Sequence, residues 1–264
     1  MSLVLTIAAA IAYLACAALV ARRMRQPVHG RGLALGVAAL AVALHAAAHA
    51  AVFARLGPDL HFVPSLSLVT LAIAGLATGI ALRRPVEAIG IVAFPLAALG
   101  AVAFGTHAHA TAAARPEWQI ALHVVLALSA FAVLFIAALV AVMLEVQERA
   151  LRERRVASIM GAFPPLTLVE GLLFHLIAAG FALLSATVLT GVLFIHDWFA
   201  QHLVHKTVLT FAAWAIFGLL IFGRWRWGWR GIRAARFTLA GITLLLLGFL
   251  GSKFVLEVLL QRTG

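Results

Sequence analysis

Of the side chains in this 264-residue sequence, the eleven histidines are the best suited to chemistry. Imidazole is the commonest protein ligand for metal ions and a standard axial ligand of heme iron. Spacing sorts them. His45 and His49 stand four apart, so on a helix they share one face with Cβ atoms about 6 Å apart, a separation suited to chelating one metal ion in adjacent positions. The same spacing bars them from opposite sides of one porphyrin. Two imidazoles that close on a heme from both sides come most easily from different segments, and His123 and His205 meet that need. Each has a basic neighbour able to pair with a heme propionate: Arg115 eight residues before His123, and Lys206 beside His205. His202, one turn before His205, joins this cofactor-binding set. Taken singly, each of these histidines reads equally well as an interfacial or packing residue.

The elements that must carry these residues are membrane helices. The composition is 64% hydrophobic and 11% charged, against about half and about a quarter for a water-soluble domain. A spanning helix needs about 20 apolar residues. Such runs fall near Ser2 to Ala21, Leu33 to Phe53, Phe62 to Leu82, Glu87 to Gly105, Gln119 to Leu144, Leu172 to Ile195, Thr207 to Phe222 and Phe237 to Leu259. The breaks between them are too short for a soluble domain. The expected architecture is therefore a single all-α, polytopic membrane bundle over residues 1–264 with about eight transmembrane helices.

Basic residues set its orientation. Arg22, Arg23, Arg25, Arg31, Arg83, Arg84, Arg149, Arg152, Arg154, Arg155, Arg224, Arg226, Arg230, Arg233 and Arg236 fall in alternate breaks. The opposite breaks and ends hold Arg55, Arg115, Lys206 and Arg262, and Lys253 lies within the last run. Fifteen against four places both termini outside, N-out and C-out. The first run has no basic residue before it and four arginines soon after, so it reads as an N-out anchor and not a cleaved signal peptide. This orientation puts His61, His107, His109, His196, His202 and His205 in outer loops and His45, His49 and His123 in the outer halves of spans; His29 and His175 lie toward the inside. Ionisable groups within spans are costly and face the bundle interior, which makes His45, His49 and His123 site candidates.

Other features read as structural. The formal charge of +11 sits in the breaks, where arginine meets anionic lipid, so nucleic acid is not an expected partner. Alternating Arg and Trp at Arg224-Trp-Arg-Trp-Gly-Trp-Arg-Gly suits an interfacial anchor. Residues 145–159 suit a short helix continuing the fifth span, with Glu145 to Arg149 and Glu148 to Arg152 spaced for i,i+4 pairs. Lys253 and Glu257 have the same spacing in the last span. Glu87 and Glu170 stand at span ends where water can solvate them. The lone Cys16 excludes an internal disulfide and a Cys-x-x-Cys motif. No nucleophile stands with a base and no carboxylates are paired at a plausible site, so an enzyme is not expected.

Three blocks of the C-terminal half resemble a known family. Leu122-His-Val-Val-Leu-Ala-Leu-Ser-Ala-Phe, running into Glu145-Val-Gln-Glu-Arg-Ala-Leu, is similar to one helix and basic tail of the CcsA/ResC-like cytochrome c assembly proteins. Phe163-Pro-Pro-Leu through Gly180-Phe to Thr187-Val-Leu-Thr-Gly resembles the helix that follows. His205-Lys-Thr, Trp214, Gly228-Trp-Arg-Gly and Gly248-Phe-Leu-Gly resemble the last two helices and their turn. In that family, outer histidines flank a tryptophan-rich WWD loop that presents heme to apocytochrome c, and His123 matches the first of them. Here the segment before the seventh span, His196-Asp-Trp-Phe-Ala-Gln-His-Leu-Val-His-Lys, holds one tryptophan, Trp198, and the histidine expected after the last helix is absent. The pattern is similar to the HemX/YpjD-type branch, which lacks the WWD loop.

What the resemblance implies is a noncatalytic heme-binding or heme-handling protein of the bacterial inner membrane, one that assists cytochrome c assembly or heme homeostasis. Its cofactor would be b-type heme, held stably or in passing. Its partners would be membrane lipid and other proteins of cytochrome c maturation or the heme pathway. A cofactor-free scaffold for partner proteins remains an alternative, because small residues such as Ala46, Ala47, Ala48 and Gly75 allow close helix packing. So does a metal or small-molecule transporter built on His45 and His49.

Overall fold

In lipid, backbone polar groups must find partners within the chain, which leaves helices and closed barrels as spanning structures. The computed structural model describes residues 2–25, 30–59, 61–107, 117–153, 164–194 and 204–251, and among them there is no strand. The helices are α1 (Ser2–Arg25), α2 (Arg31–Leu56), α3 (Phe62–Arg83), α4 (Gly90–Thr106), α5 (Trp118–Arg152), α6 (Leu166–Phe194), α7 (Val204–Trp227) and α8 (Gly231–Leu246). A 3₁₀ turn, Glu87–Ile89, leads into α4, and a π turn, Leu247–Gly251, follows α8. All eight helical segments are long and apolar enough to cross a membrane, as the apolar runs predict.

Several helices outrun the apolar windows. α5 continues to Arg152, α6 starts at Leu166 and α8 starts at Gly231, because a helix continues through the interface where its polar residues meet headgroups and water. The i,i+4 segment after residue 144 is helical as far as Arg152; residues 154–163 and the Lys253/Glu257 pair lie outside the described residues.

The chain divides into two compact units, Met1–Pro116 with Arg149–Leu166, and Glu117–Glu148 with Thr167–Gly264. In the first, α1 packs on α2 and α4, and α3 packs on the same two helices, closing a ring of four. Its core is mostly alanine (Ala9, Ala34, Ala38, Ala41, Ala74, Ala97 and Ala101) around Tyr13 and Phe94. Small side chains let the backbones approach closely, the usual basis of helix association where lipid is as apolar as the protein. Thr70 on α3 fits against Gly100 on α4, and Thr6 on α1 against Gly105, with no room for a Cβ at either glycine. Ala48 is fully buried and Gly75 meets Val42, so these two small residues serve packing inside the unit, whereas Ala46 and Ala47 are exposed.

The second unit also closes on itself. α5 and α6 run antiparallel, with Trp118 beside Phe194, His123 beside Thr190 and Leu134 against Gly180. Trp214 of α7 stacks on Phe181 of α6 and donates its indole N–H to Ser185 at 2.9 Å. Phe217 of α7 lies against Gly241 of α8, and Phe249, just beyond α8, meets Phe131 of α5. The turn between α7 and α8 explains the Gly-Trp-Arg-Gly motif. Gly228 and Gly231 have φ of 66° and 58°, the left-handed region that glycine enters without steric cost, and a Cβ on Gly231 would collide with the Glu148 carboxylate.

In each unit a carboxylate gathers arginines at the arginine-bearing end. Glu87 accepts from Arg23 at 3.0 Å and Arg31 at 2.6 Å, and Arg31 also donates to the Ala81 carbonyl. Glu170 accepts from Arg224 at 2.9 Å and has Arg230 at 3.8 Å, with the Arg224 guanidinium over the Phe174 ring. Both glutamates therefore differ from the solvated span-end residues the sequence suggests. The chain folds each one onto arginines from other helices.

Candidate histidine sites

His123 sits in the second turn of α5, half-buried, and its Nδ1 lies 3.1 Å from the Thr190 hydroxyl oxygen on α6. The proton on that hydroxyl is committed elsewhere. Thr190 Oγ1 lies 2.9 Å from the Ala186 carbonyl and 3.0 Å from the Thr187 carbonyl, and a carbonyl only accepts. Thr190 therefore receives a hydrogen bond from His123, which fixes the imidazole as the tautomer protonated at Nδ1. The ring also has the Thr187 backbone as a hydrogen-bond partner, and in this tautomer Nε2 carries a lone pair able to meet a ligand. An imidazole held through one nitrogen, with a lone pair at the other, is the arrangement that metal-ligating histidines adopt. The Lys206 ammonium is near enough for its charge to act on the ring. The Trp118 and Phe194 rings, 5.7 Å apart, meet one turn from His123 toward the same end of the unit.

Of the other residues expected at this site, His205 stands in the first turn of α7, a helix of the same unit. Its side chain lies outside the described residues, as do Arg115 and His202 entirely. The segment holding Trp198 lies outside them too.

His45 and His49 form a second cluster, in the first unit. Both Nε2 atoms lie 2.9 Å from one oxygen, the Ser67 hydroxyl of α3. The Tyr13 hydroxyl of α1 is 3.5 Å from His45 Nδ1, and the His49 ring stacks on Phe104 of α4 at 3.8 Å. All four helices thus contribute, and His45 and Tyr13 are completely buried. The shared helix face expected from the i,i+4 spacing is present, with ring centroids 5.4 Å apart. Among the described residues no three His, Cys, Asp or Glu side chains are grouped closely enough to hold a metal ion.

The cross-helix roles of Thr190, Ser67 and Tyr13 are not visible in the sequence. Hydroxyl residues within spans usually bond to their own helix backbone, as Thr78 and Thr238 do here, so nothing in their spacing marks a cross-helix role.

Residues 32–260 match the family described as Cytochrome C assembly protein. The chain belongs to that family. It is 31% identical over 270 residues to the inner membrane protein YpjD of Escherichia coli K12, an alignment covering 97% of this chain and 99% of that protein. The YpjD proteins of Escherichia coli O6:H1 and O157:H7 give the same figures. An uncharacterized 28.8 kDa protein encoded in a nifR3-like 5' region of Azospirillum brasilense is 36% identical over 147 residues, 55% of this chain and 54% of its own length. No solved structure matches. The family match extends across α2 to α4, where the sequence motifs carried little of the resemblance.

Proposed function

We propose that this protein binds heme at the outer face of the bacterial inner membrane and assists cytochrome c assembly or heme homeostasis without catalysing a reaction itself. The observation that carries the reading is the environment of His123: its ring is held by the Thr190 hydroxyl at Nδ1 and by the Thr187 backbone, in the tautomer that gives Nε2 a lone pair for a ligand. The donor chemistry fits heme. A neutral imidazole oriented by a hydrogen bond at its far nitrogen is a standard axial ligand, and Lys206 nearby supplies the positive charge a propionate requires. Heme, when bound, would supply an iron able to accept imidazole nitrogens. His205, and after it His202, would be the candidates for a second imidazole ligand, with Arg115 a second propionate partner.

The remaining details belong to the same proposal. The fifteen arginines of alternate loops hold the termini on the periplasmic side, which puts His123 and His205 there as well. The partners would be membrane proteins of heme supply or cytochrome c maturation. Family membership and likeness to a protein named for the inner membrane support this reading.

An absorption spectrum tests it. Protein expressed with ample heme and purified in detergent should carry a Soret band, and His123→Ala should lose most of it while His205→Ala weakens it. A folded wild-type protein that stays colourless in excess heme would overturn the proposal.

A further inference from the structure

The cluster in the first unit lies outside that site and poses its own problem of hydrogen counting. Ser67 has one hydroxyl proton, yet its oxygen stands 2.9 Å from two imidazole nitrogens, His45 Nε2 and His49 Nε2. For both contacts to be hydrogen bonds, Ser67 must donate to one ring and accept from the other. The two histidines are thereby forced into opposite states at Nε2, one protonated and one bare. At the far side of His45, the Tyr13 hydroxyl can donate to a bare Nδ1 or accept from a protonated one, so the chain closes in either sense.

We infer that His45, Ser67 and His49 form a site that binds one proton, shared between the two imidazoles through the serine hydroxyl. With one added proton each of the three contacts has its hydrogen. His49 carries the charge and donates Nε2–H to Ser67, Ser67 donates to His45 Nε2, and His45 donates Nδ1–H to the Tyr13 oxygen. Two short hops, from His49 Nε2 to Ser67 and from Ser67 to His45 Nε2, move the charge to His45 with no movement of heavy atoms and no change in the number of protons. A second added proton has no such place. It would leave two Nε2–H groups aimed at one oxygen, the Ser67 hydrogen without an imidazole acceptor, and two cations with ring centroids 5.4 Å apart.

The surroundings suit a single charge that enters from one side. α1 faces the cluster with the Tyr13 phenol, α3 with the Ser67 hydroxyl, and α4 with Phe104 against His49 and Phe94 against Tyr13. The charge felt at His45 is that of His49. Tyr13 and His45 are sealed, whereas His49 is half-buried and stands seven residues, or about 10 Å of helix, from the Leu56 end of α2. His49 is thus the entry, and His45 the sheltered position.

Nuclear magnetic resonance of the full-length protein labelled with ¹⁵N-histidine, in detergent, tests this without reference to heme. His→Gln variants at 45 and 49 assign the two rings. The expected result is opposite protonation at the two Nε2 atoms near neutral pH, and a single acid transition that moves the signals of both rings together. Ser67→Ala should abolish the opposition and split the transition into two independent ones, and Ser67→Thr, which keeps a hydroxyl, should restore both features. Rings of the same tautomer in the wild type, or independent titration while Ser67 is present, would overturn the inference. So would one-to-one binding of Zn²⁺ that requires both histidines and survives Ser67→Ala, because that result makes the pair a chelate.

Discussion

Both four-helix units set imidazoles among spanning helices, but they use the nitrogens differently. In the first, both nitrogens of His45 meet hydroxyls, those of Tyr13 and Ser67, and the ring is sealed. In the second, His123 bonds through Nδ1 to Thr190, has the Thr187 backbone beside it, and is half-buried. A ring with both nitrogens engaged holds helices together or shares protons, and it must break a bond before it can bind a ligand. A ring held through Nδ1, with a lone pair at Nε2, is already oriented for a ligand. Residue type is the same in the two places; neighbouring hydroxyls decide the chemistry.

The largest expected effects come from exchanging the two losses. His123→Ala should remove most of the Soret band while shifting the thermal unfolding midpoint little, because the ring sits at a half-buried edge. His45→Ala should do the reverse. It leaves a cavity, takes from Tyr13 its His45 partner and leaves Ser67 with His49 alone, at a cost of about 3 kcal/mol, yet the folded fraction should keep the Soret band. Loss of heme binding in both variants at equal folded fraction would erase the distinction between the units.

Glycine substitutions should give opposite signs in the two units. Gly231→Ala places a Cβ against Glu148 at a φ of 58° and should destabilise by about 2 kcal/mol in denaturation followed by circular dichroism. Gly36 lies inside α2 with nothing within 4 Å of where its Cβ would be, so Gly36→Ala should be neutral or gain up to about 1 kcal/mol. The effect at Thr190 is smaller than that at Gly231. Thr190→Val keeps the shape but removes the acceptor for His123, and should weaken heme affinity about tenfold and move the visible absorption bands, whereas Thr190→Ser should leave both near wild type. An unchanged spectrum and affinity in Thr190→Val would mean that the hydroxyl does not orient the ring.

The helices and the chemistry were not equally legible in the sequence. Eight helices follow from apolar length, because lipid admits few other backbones, and the Gly-Trp-Arg-Gly turn between the last two helices is where Gly228 and Gly231 take left-handed φ. His45, His49 and His123 stand out because ionisable groups are rare within spans. Their partners do not. Ser67 and Thr190 look like any hydroxyl bonded to its own helix, and Glu87 and Glu170 look like solvated ends, until antiparallel packing brings Arg23, Arg31 and Arg224 onto them. Linear spacing reports one helix at a time, whereas each of these contacts needs two.

The smallest effect is expected at the joint between α6 and α7. There Trp214 donates to Ser185, and Ser185 in turn lies 2.8 Å from the Phe181 carbonyl, so its single proton goes to the backbone and its oxygen accepts from the indole. Ser185→Ala leaves the indole N–H without that acceptor, but Trp214 stays stacked on Phe181 and remains partly exposed. Cross-helix hydrogen bonds in membrane proteins average about 0.6 kcal/mol, because the alternatives also find partners. Ser185→Ala should cost about that much in denaturation, with the tryptophan emission changed more clearly than the stability. A loss several times larger would mean that the second unit depends on a polar bond as the first depends on His45, and the contrast between a sealed network and an open ligand would then rest on His123 alone.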